Sequence, residues 1–355
     1  MKRTARDVPF LRSLPKVELH RHLEGTLRLQ TCLELARAAR LSLPTDSLDS
    51  LRPFFQYTGD TPDFVRFLGY FDVLDRLYDG NPDSVRRVAR EAVLDAAADS
   101  VRYLELRFNP NHFARRNGAD LNDVTRWVTE NAQQAADETD VALRFIITVP
   151  RHYSLRAAER LVQIAVDQQG AGIRAVDLAG DEVNHSWKPH VSLFHEAQQA
   201  GLGLTIHAGE VGPPENVATA LTEFRTLRIG HGVQIAGDDR LMDHVRDVGA
   251  TLEICPTSNL QTGAVRAATG SSAAQPASNH PLPHLYRRGI RVTLNTDDPG
   301  ISGITLTDEY ALANQEMGLR LDELRQIMLN GVAAAFLPDE EKEALGHKLL
   351  DEWDA

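Results

Sequence analysis

Residues 143–149 read LRFIITV and residues 202–206 read LGLTI. Both runs are short and rich in branched aliphatics, with no clean alternation of apolar and polar positions, as expected for strands covered on both faces. A strand with one wet face would alternate, so the pair points to a parallel sheet lying under helices. Runs of the same kind recur at 17–20, 101–108, 175–178, 227–229, 251–254 and 290–294, each bounded by polar residues or glycine and separated by longer amphipathic segments. Eight parallel strands alternating with helices predict a closed (β/α)8 TIM barrel, read here as a single domain over residues 1–355.

The intervening segments agree with that architecture. Asn81-Pro82 offers a helix cap and a first-turn proline ahead of an apolar face made of Val85, Val88, Ala89, Ala92 and Val93. The interval between residues 20 and 101 is too long for one crossover helix and must hold extra helices after the first strand. One of these is expected to begin at Thr61-Pro62, with Phe64, Phe67, Leu68, Phe71 and Leu74 at helical spacing, and serves either as a buried insertion or as a lid. Residues 263–283 (GAVRAATGSSAAQPASNHPLP) have the composition of a mobile loop. After Thr307 the pattern is helical to the end, with Leu306, Tyr310, Leu324, Ile327, Met328 and Phe336 as packing residues.

The chain has 355 residues, 42% hydrophobic and 25% charged, enough of both to bury a core and solvate a surface. Its net charge of −12 opposes nucleic acid and anionic membranes. Two cysteines, Cys32 and Cys255, are too few for a disulfide scaffold or a cysteine-ligated zinc motif. The opening MKRTARDVPFLRSLPK is interrupted by Asp7, Pro9 and Pro15 before any apolar region of signal length develops. No stretch approaches the roughly 18–20 consecutive apolar residues of a membrane helix. A cytoplasmic location is therefore expected.

Barrel enzymes place their chemistry at the C-terminal ends of the strands. Here those positions hold His20-Arg21-His22, Asp177 through Asp181-Glu182, His207-Ala208-Gly209-Glu210, Gly230-His231-Gly232, Ser258-Asn259 and Asp297-Asp298. In an extended segment His20 and His22 face the same side and can reach one ion. Adding His207 and Asp297 gives three imidazoles and one carboxylate, a set suited to a single zinc ion per chain with room for a water. Zinc lowers the pKa of bound water from about 15.7 toward about 7, so metal and solvent would supply the nucleophile. Glu210, three residues past His207, is near enough to exchange protons, and His231 between two glycines could present its ring to that water. The adjacent carboxylates of Asp297 and Asp298 repel unless a cation or a proton relieves them, which is met if one binds metal and the other substrate.

At these residues the sequence resembles the adenosine deaminase family of metal-dependent amidohydrolases. The stretches PKVELHRHLEG, VDLAGDE, HAGEVG, RIGHG, LEICPTSNLQTG and TLNTDDPG occur in the family's order from Pro15 to Gly300. The resemblance implies zinc held by His20, His22, His207 and Asp297 in the barrel. It further implies that Glu210 protonates purine N1, that His231 orients or deprotonates the water, that Asp298 faces N7 and that the Gly180 amide faces N3. Substrate contacts are then expected from His22, Glu24, Gly180 and Asp298. Purine N7 accepts hydrogen bonds and an ionised carboxylate can only accept them, so Asp298 is expected to be protonated against it. Glu24 stands where animal members carry an aspartate on a ribose hydroxyl, as bacterial members and relatives with other substrates often do.

The expected partner is thus a small purine nucleoside, deaminated hydrolytically to inosine and ammonia, with no nucleic acid and no membrane involved. Deaminases of other 6-aminopurines, such as aminodeoxyfutalosine or free adenine, are the alternative. The wording PTSNLQTG and NTDDPG is closer to bacterial adenosine deaminases. A two-metal hydrolase would need a bridging lysine or carboxylate at the fourth strand, where this chain reads Asp177-Leu178-Ala179-Gly180. The paired-cysteine motif of cytidine-type deaminases and the HExxH of zinc proteases are both absent.

Overall fold

All eight runs form strands: β1 (Lys16–His22), β2 (Val101–Phe108), β3 (Ala142–Pro150), β4 (Ile173–Ala179), β5 (Gly203–Ala208), β6 (Arg228–His231), β7 (Thr251–Ile254) and β8 (Arg291–Leu294). The computed structural model describes residues 7–43, 47–59, 61–78, 81–114, 118–271 and 273–355. Each strand pairs in parallel with the next, in chain order from β1 to β8. The barrel closes beyond the end of β8, where Arg21 bridges Asp297 and their neighbours exchange backbone bonds: Asp297 N–H to His20 O at 3.0 Å and His22 N–H to Asp297 O at 2.8 Å. Below that point the Asn295 side chain spans the seam, accepting from Leu19 N at 2.9 Å and donating to Ile254 O at 3.2 Å. This closure keeps β1 extended to His22, two residues past the expected end.

Among the described residues, four helices lie between β1 and β2: Leu29–Ala38, Leu48–Phe55, Phe64–Leu74 and Pro82–Ala98. The last is capped by Asn81, whose side chain accepts from Asp83 N at 3.0 Å, and it buries the predicted Val85, Val88, Ala89, Ala92 and Val93. The third begins at Phe64 rather than at Thr61-Pro62. Asp63 is its cap, accepting from Arg66 N at 3.0 Å, because a carboxylate one residue before the first turn satisfies an orphan amide that threonine at 61 cannot reach. Within 263–283, read as a loop, lie the short helix Ala264–Ala268, the turn Ala277–Asn279 and the start of helix Leu282–Arg287. At the C-terminal end, Met328, Val332, Ala335 and Leu349 of the final helices pack on Val17, Leu19 and Tyr103 at the base of the barrel. No helix among the described residues is long and apolar enough to cross a membrane.

The barrel interior is ionic where branched aliphatic layers would be usual. Arg107 (β2) donates to Asp177 (β4) at 3.1 Å and to Glu253 (β7) at 2.7 Å. Arg228 (β6) donates to Glu253 at 2.5 Å and to Glu105 (β2) at 2.8 Å. All five are buried, and each meets a group of opposite charge. Three carboxylates against two guanidiniums leave one surplus negative charge beneath the strand ends.

Candidate active site

β1 and β5 project His20, His22 and His207 toward the C-terminal mouth, and Asp297 meets them from the segment following β8. His22 Nε2 lies 3.3 Å from His207 Nε2, and Asp297 Oδ1 lies 3.3 Å from His20 Nε2 and 3.5 Å from His22 Nε2. Donor atoms spaced by that much form the edges of a tetrahedron around an ion with bonds of about 2.0–2.1 Å, the distances zinc makes to histidine and carboxylate. The structure thus brings together all four residues that the sequence nominates. Their neighbours fix the tautomers: His20 Nδ1–H donates to Glu253 Oε2 at 2.8 Å and His207 Nδ1–H to Asp177 Oδ1 at 2.9 Å, leaving each Nε2 lone pair aimed at the centre. Burial holds His22 and His207 below the usual histidine range, whereas the carboxylates of Asp297 and Glu253 raise His20 against its burial, so His20 must be free of its Nε2 proton when an ion binds. Burial works against the charge of Asp297, but the imidazoles packed around it, His20 foremost, hold its carboxyl well below the usual range, and Ser258 Oγ donates to its second oxygen at 2.7 Å.

A second grouping, His20, His231, Cys255 and Asp297, shares two of these residues. Burial and the charge of Asp297 push the Cys255 thiol well up, which makes it a poor ligand beside neutral imidazoles. Asp177 has one oxygen on His207 and the other on Arg107, so it is not free to bridge a second ion.

The groups predicted to move protons surround this cage. Glu210 Oε2 lies 3.7 Å from His231 Nε2, which is itself 3.9 Å from Asp297 Oδ2. Burial, then the charges of Asp297 and Glu182, raise Glu210 well above the ordinary carboxyl range, so it carries a proton. Asp298 is raised as well, by burial and then by Asp297, Glu24 and Glu210, and its Oδ1 is buried without a partner. The asymmetry expected of the Asp297-Asp298 pair is therefore present. Asn259 donates its amide to His231 Nδ1 at 3.0 Å, and in this orientation the neutral ring keeps its proton on Nε2. Both His231 (φ 61°) and Asp297 (φ 63°) occupy the left-handed region, which costs a non-glycine residue on the order of 1–3 kcal/mol and is characteristic of functional positions. Beside Glu24, Gly25 has no alternative, since an added Cβ would collide with the Asp298 carboxylate.

A cavity of about 550 Å³ opens above the cage. Glu24, Gly180, Glu210, His231, Asp297 and Asp298 line its floor, so every substrate residue predicted from the sequence reaches it. Glu24 accepts from Asn109 N at 2.5 Å, and burial raises its carboxyl to about 7. Helix Phe64–Leu74 forms one wall through Phe64, Leu68 and Phe71 while Tyr70 and Leu74 anchor it to the core, so it is at once an inserted helix and the side of the pocket. No lysine or arginine lines the cavity among the described residues. Sequence reasoning passed over Glu253, Arg107 and Asn109. The first two carried a usable signal, an ionisable residue at an inward position inside an aliphatic strand.

The family model for adenosine deaminase matches residues 15–352 of this chain. An adenosine deaminase of Klebsiella pneumoniae (strain 342) is 38% identical over 338 residues, covering 94% of this chain and 97% of that protein. An adenosine deaminase of Yersinia enterocolitica is 38% identical over 336 residues, covering 95% and 98%. Among solved structures, a cog1816 amidohydrolase from Burkhoderia ambifaria with bound Zn superimposes with a TM-score of 0.86 at 27% identity, covering 99% of this chain and 95% of the other. Adenine deaminase from Arthrobacter aurescens gives 0.85 at 25% identity, covering 96% and 100%. With the barrel, the four-residue cage and the paired acids already in place, these matches show that the chain belongs to the adenosine deaminase family.

Proposed function

We propose that this protein is a zinc-dependent deaminase of adenosine and 2′-deoxyadenosine, releasing ammonia and leaving the 6-oxopurine nucleoside. The observation that carries the reading is the pair of buried acids, Glu210 and Asp298, both held above the ordinary carboxyl range, set beside the cage of three histidines and Asp297 in the lining of one cavity. The adenosine deaminases of Klebsiella and Yersinia and the Zn-bound amidohydrolase of Burkhoderia support it.

His20, His22, His207 and Asp297 would hold the ion, which when bound supplies the Lewis acidity that makes water nucleophilic near neutral pH. Glu210 gives its proton to purine N1, draining electron density from the ring so that C6 accepts the oxygen of water. Asp298, as a neutral acid, donates to N7, and the Gly180 amide faces N3. His231, with its proton on Nε2, holds the attacking oxygen by donating to it, the role its bond from Asn259 selects. A C6–O bond forms and the C6–N bond breaks, with the protons of water and Glu210 redistributed so that the amine leaves as ammonia and Glu210 regains its own. Glu24, with Oε2 buried and unpartnered, takes a sugar hydroxyl.

A lining that holds Glu24, Asp72 and Asp181 but, among the described residues, neither lysine nor arginine favours an uncharged nucleoside over a phosphorylated one. The free, buried Cys32 and Cys255 suit a reducing cytoplasm. The test is ammonia release by zinc-loaded protein from adenosine, deoxyadenosine, adenine, adenosine monophosphate and aminodeoxyfutalosine, compared by kcat/KM. The two nucleosides should lead the panel. A preference for adenine or aminodeoxyfutalosine would reassign the substrate, and no ammonia from any of them would leave a binding protein.

A further inference from the structure

Glu210 sits in a segment, residues 209–214, that is neither helix nor strand, yet a proton donor must be aimed to within a fraction of an ångström. What holds the segment is a carboxylate 28 residues earlier, on the loop that follows β4. Glu182 Oε1 accepts from the amides of Glu210 at 2.8 Å, Val211 at 3.0 Å and Gly212 at 2.8 Å. Its Oε2 accepts from Gly209 N at 2.9 Å and from Asn216 Nδ2 at 2.8 Å. Four successive amides thus close on one buried carboxylate, an anion nest whose anion is supplied by the chain itself. From the opposite side Gln234 Nε2 donates to Glu210 O at 2.5 Å, so the backbone of the donor is gripped at both its amide and its carbonyl.

The glycines around Glu210 follow from this grip. At Gly212 an added Cβ would lie 2.6 Å from Glu182 Cδ, so the carboxylate occupies the space that any side chain would need. Gly209, at φ +66°, turns its amide inward, and a Cβ there would meet Val217 Cγ2 at 2.7 Å. Glu182 lies outside the lining of the cavity and has no route to the substrate.

We propose that Glu182 is the positioning residue for Glu210, setting the direction of proton donation by organising the 209–212 backbone. The inference rests on the reading of Glu210 as the proton donor. Glu182→Gln leaves the volume unchanged but turns one acceptor into a donor, so that an amide N–H must face another N–H in the nest. Displacing the donor by about an ångström should lower kcat on the order of 10²-fold, because its geometry counts only in the transition state. KM and the zinc content should stay near wild type.

The decisive measurement repeats the substitution in a Glu210→Gln background, in which there is no carboxylic acid left to aim. Residues that act as a unit are non-additive, so Glu182→Gln should there change kcat by less than about threefold. An equal fold loss in both backgrounds, or wild-type kcat for Glu182→Gln alone, overturns the proposal. Should Glu182→Gln fail to fold, Asn216→Ala removes one anchor of the carboxylate and should give a smaller loss with the same dependence on Glu210; an additive loss there overturns it equally. Near-normal turnover of Glu210→Gln by itself would defeat the donor assignment instead, a result distinct from missing coupling.

Discussion

Glu253→Gln probes the ionic barrel interior and the cage in one substitution. Oε2 of Glu253 receives Arg107 at 2.7 Å and His20 Nδ1 at 2.8 Å, while Oε1 receives Arg228 at 2.5 Å and Thr205 at 2.9 Å. Glutamine must put its NH2 at one of these positions, and at either it faces a guanidinium N–H. Removing one partner of a buried ion pair costs about 3–5 kcal/mol. At about 2.1 cal/mol/K per residue, unfolding 355 residues carries an entropy of about 0.75 kcal/mol/K, so Tm of the metal-free protein should fall by about 4–7 °C. His20 also loses the acceptor that orients it, which should weaken zinc by about 10–100-fold. That adds about 2–4 °C to the loss in zinc-loaded protein. Calorimetry with and without zinc, together with chelator competition, measures both effects. Glu105→Gln is the control: Glu105 holds Arg228 and Tyr103 but touches no histidine of the cage, so it should lower Tm and spare zinc affinity. A Tm within about 1 °C of wild type together with unchanged zinc affinity for Glu253→Gln would show that Glu253 supports neither the ionic interior nor the cage.

Glu210→Gln should retain zinc and lose about 10²–10⁴-fold in kcat, the range of a general acid, and turnover near wild type would remove Glu210 from that role. Asp297→Asn should weaken metal binding together with activity; zinc affinity equal to wild type by competition would show that Asp297 is not a ligand. Outside the cavity lining, Glu309 is buried with Oε1 on Thr257 N at 2.8 Å and Oε2 unpartnered, and burial raises it to about 8 from an ordinary 4.5. The folded chain therefore holds this proton more tightly than the unfolded chain. The associated stability is complete below about pH 4.5 and is lost as pH rises through about 8, to a total of up to about 5 kcal/mol. Between pH 5 and 9, Glu309→Gln should lose less stability in urea than wild type does, whereas parallel pH profiles would contradict the assignment.

The barrel was legible because strands covered on both faces are dominated by branched aliphatics, so LRFIITV and LGLTI stand out without the alternation of a half-exposed strand. Less legible was the start of helix Phe64–Leu74, for Thr61-Pro62 has the form of a cap while Asp63 does the capping. The cage residues could be nominated because each sits at a strand end, where side chains have solvent and substrate to serve. Glu253 and Arg107 lie inside strands, and only the register across β2, β4 and β7 shows that their charges meet under His20 and His207. Glu182 was visible in VDLAGDE, but its partners are mostly backbone amides, which leave no side-chain signature beyond the glycines at 209 and 212.

On the proposed reading, one ion held by His20, His22, His207 and Asp297 is required for deamination. Zinc titrated into metal-free protein in the presence of adenosine, with ammonia as the readout, tests it most directly. No turnover is expected without metal, then a linear rise that breaks at one equivalent per chain. Full turnover without metal, or a break at two equivalents, would contradict it.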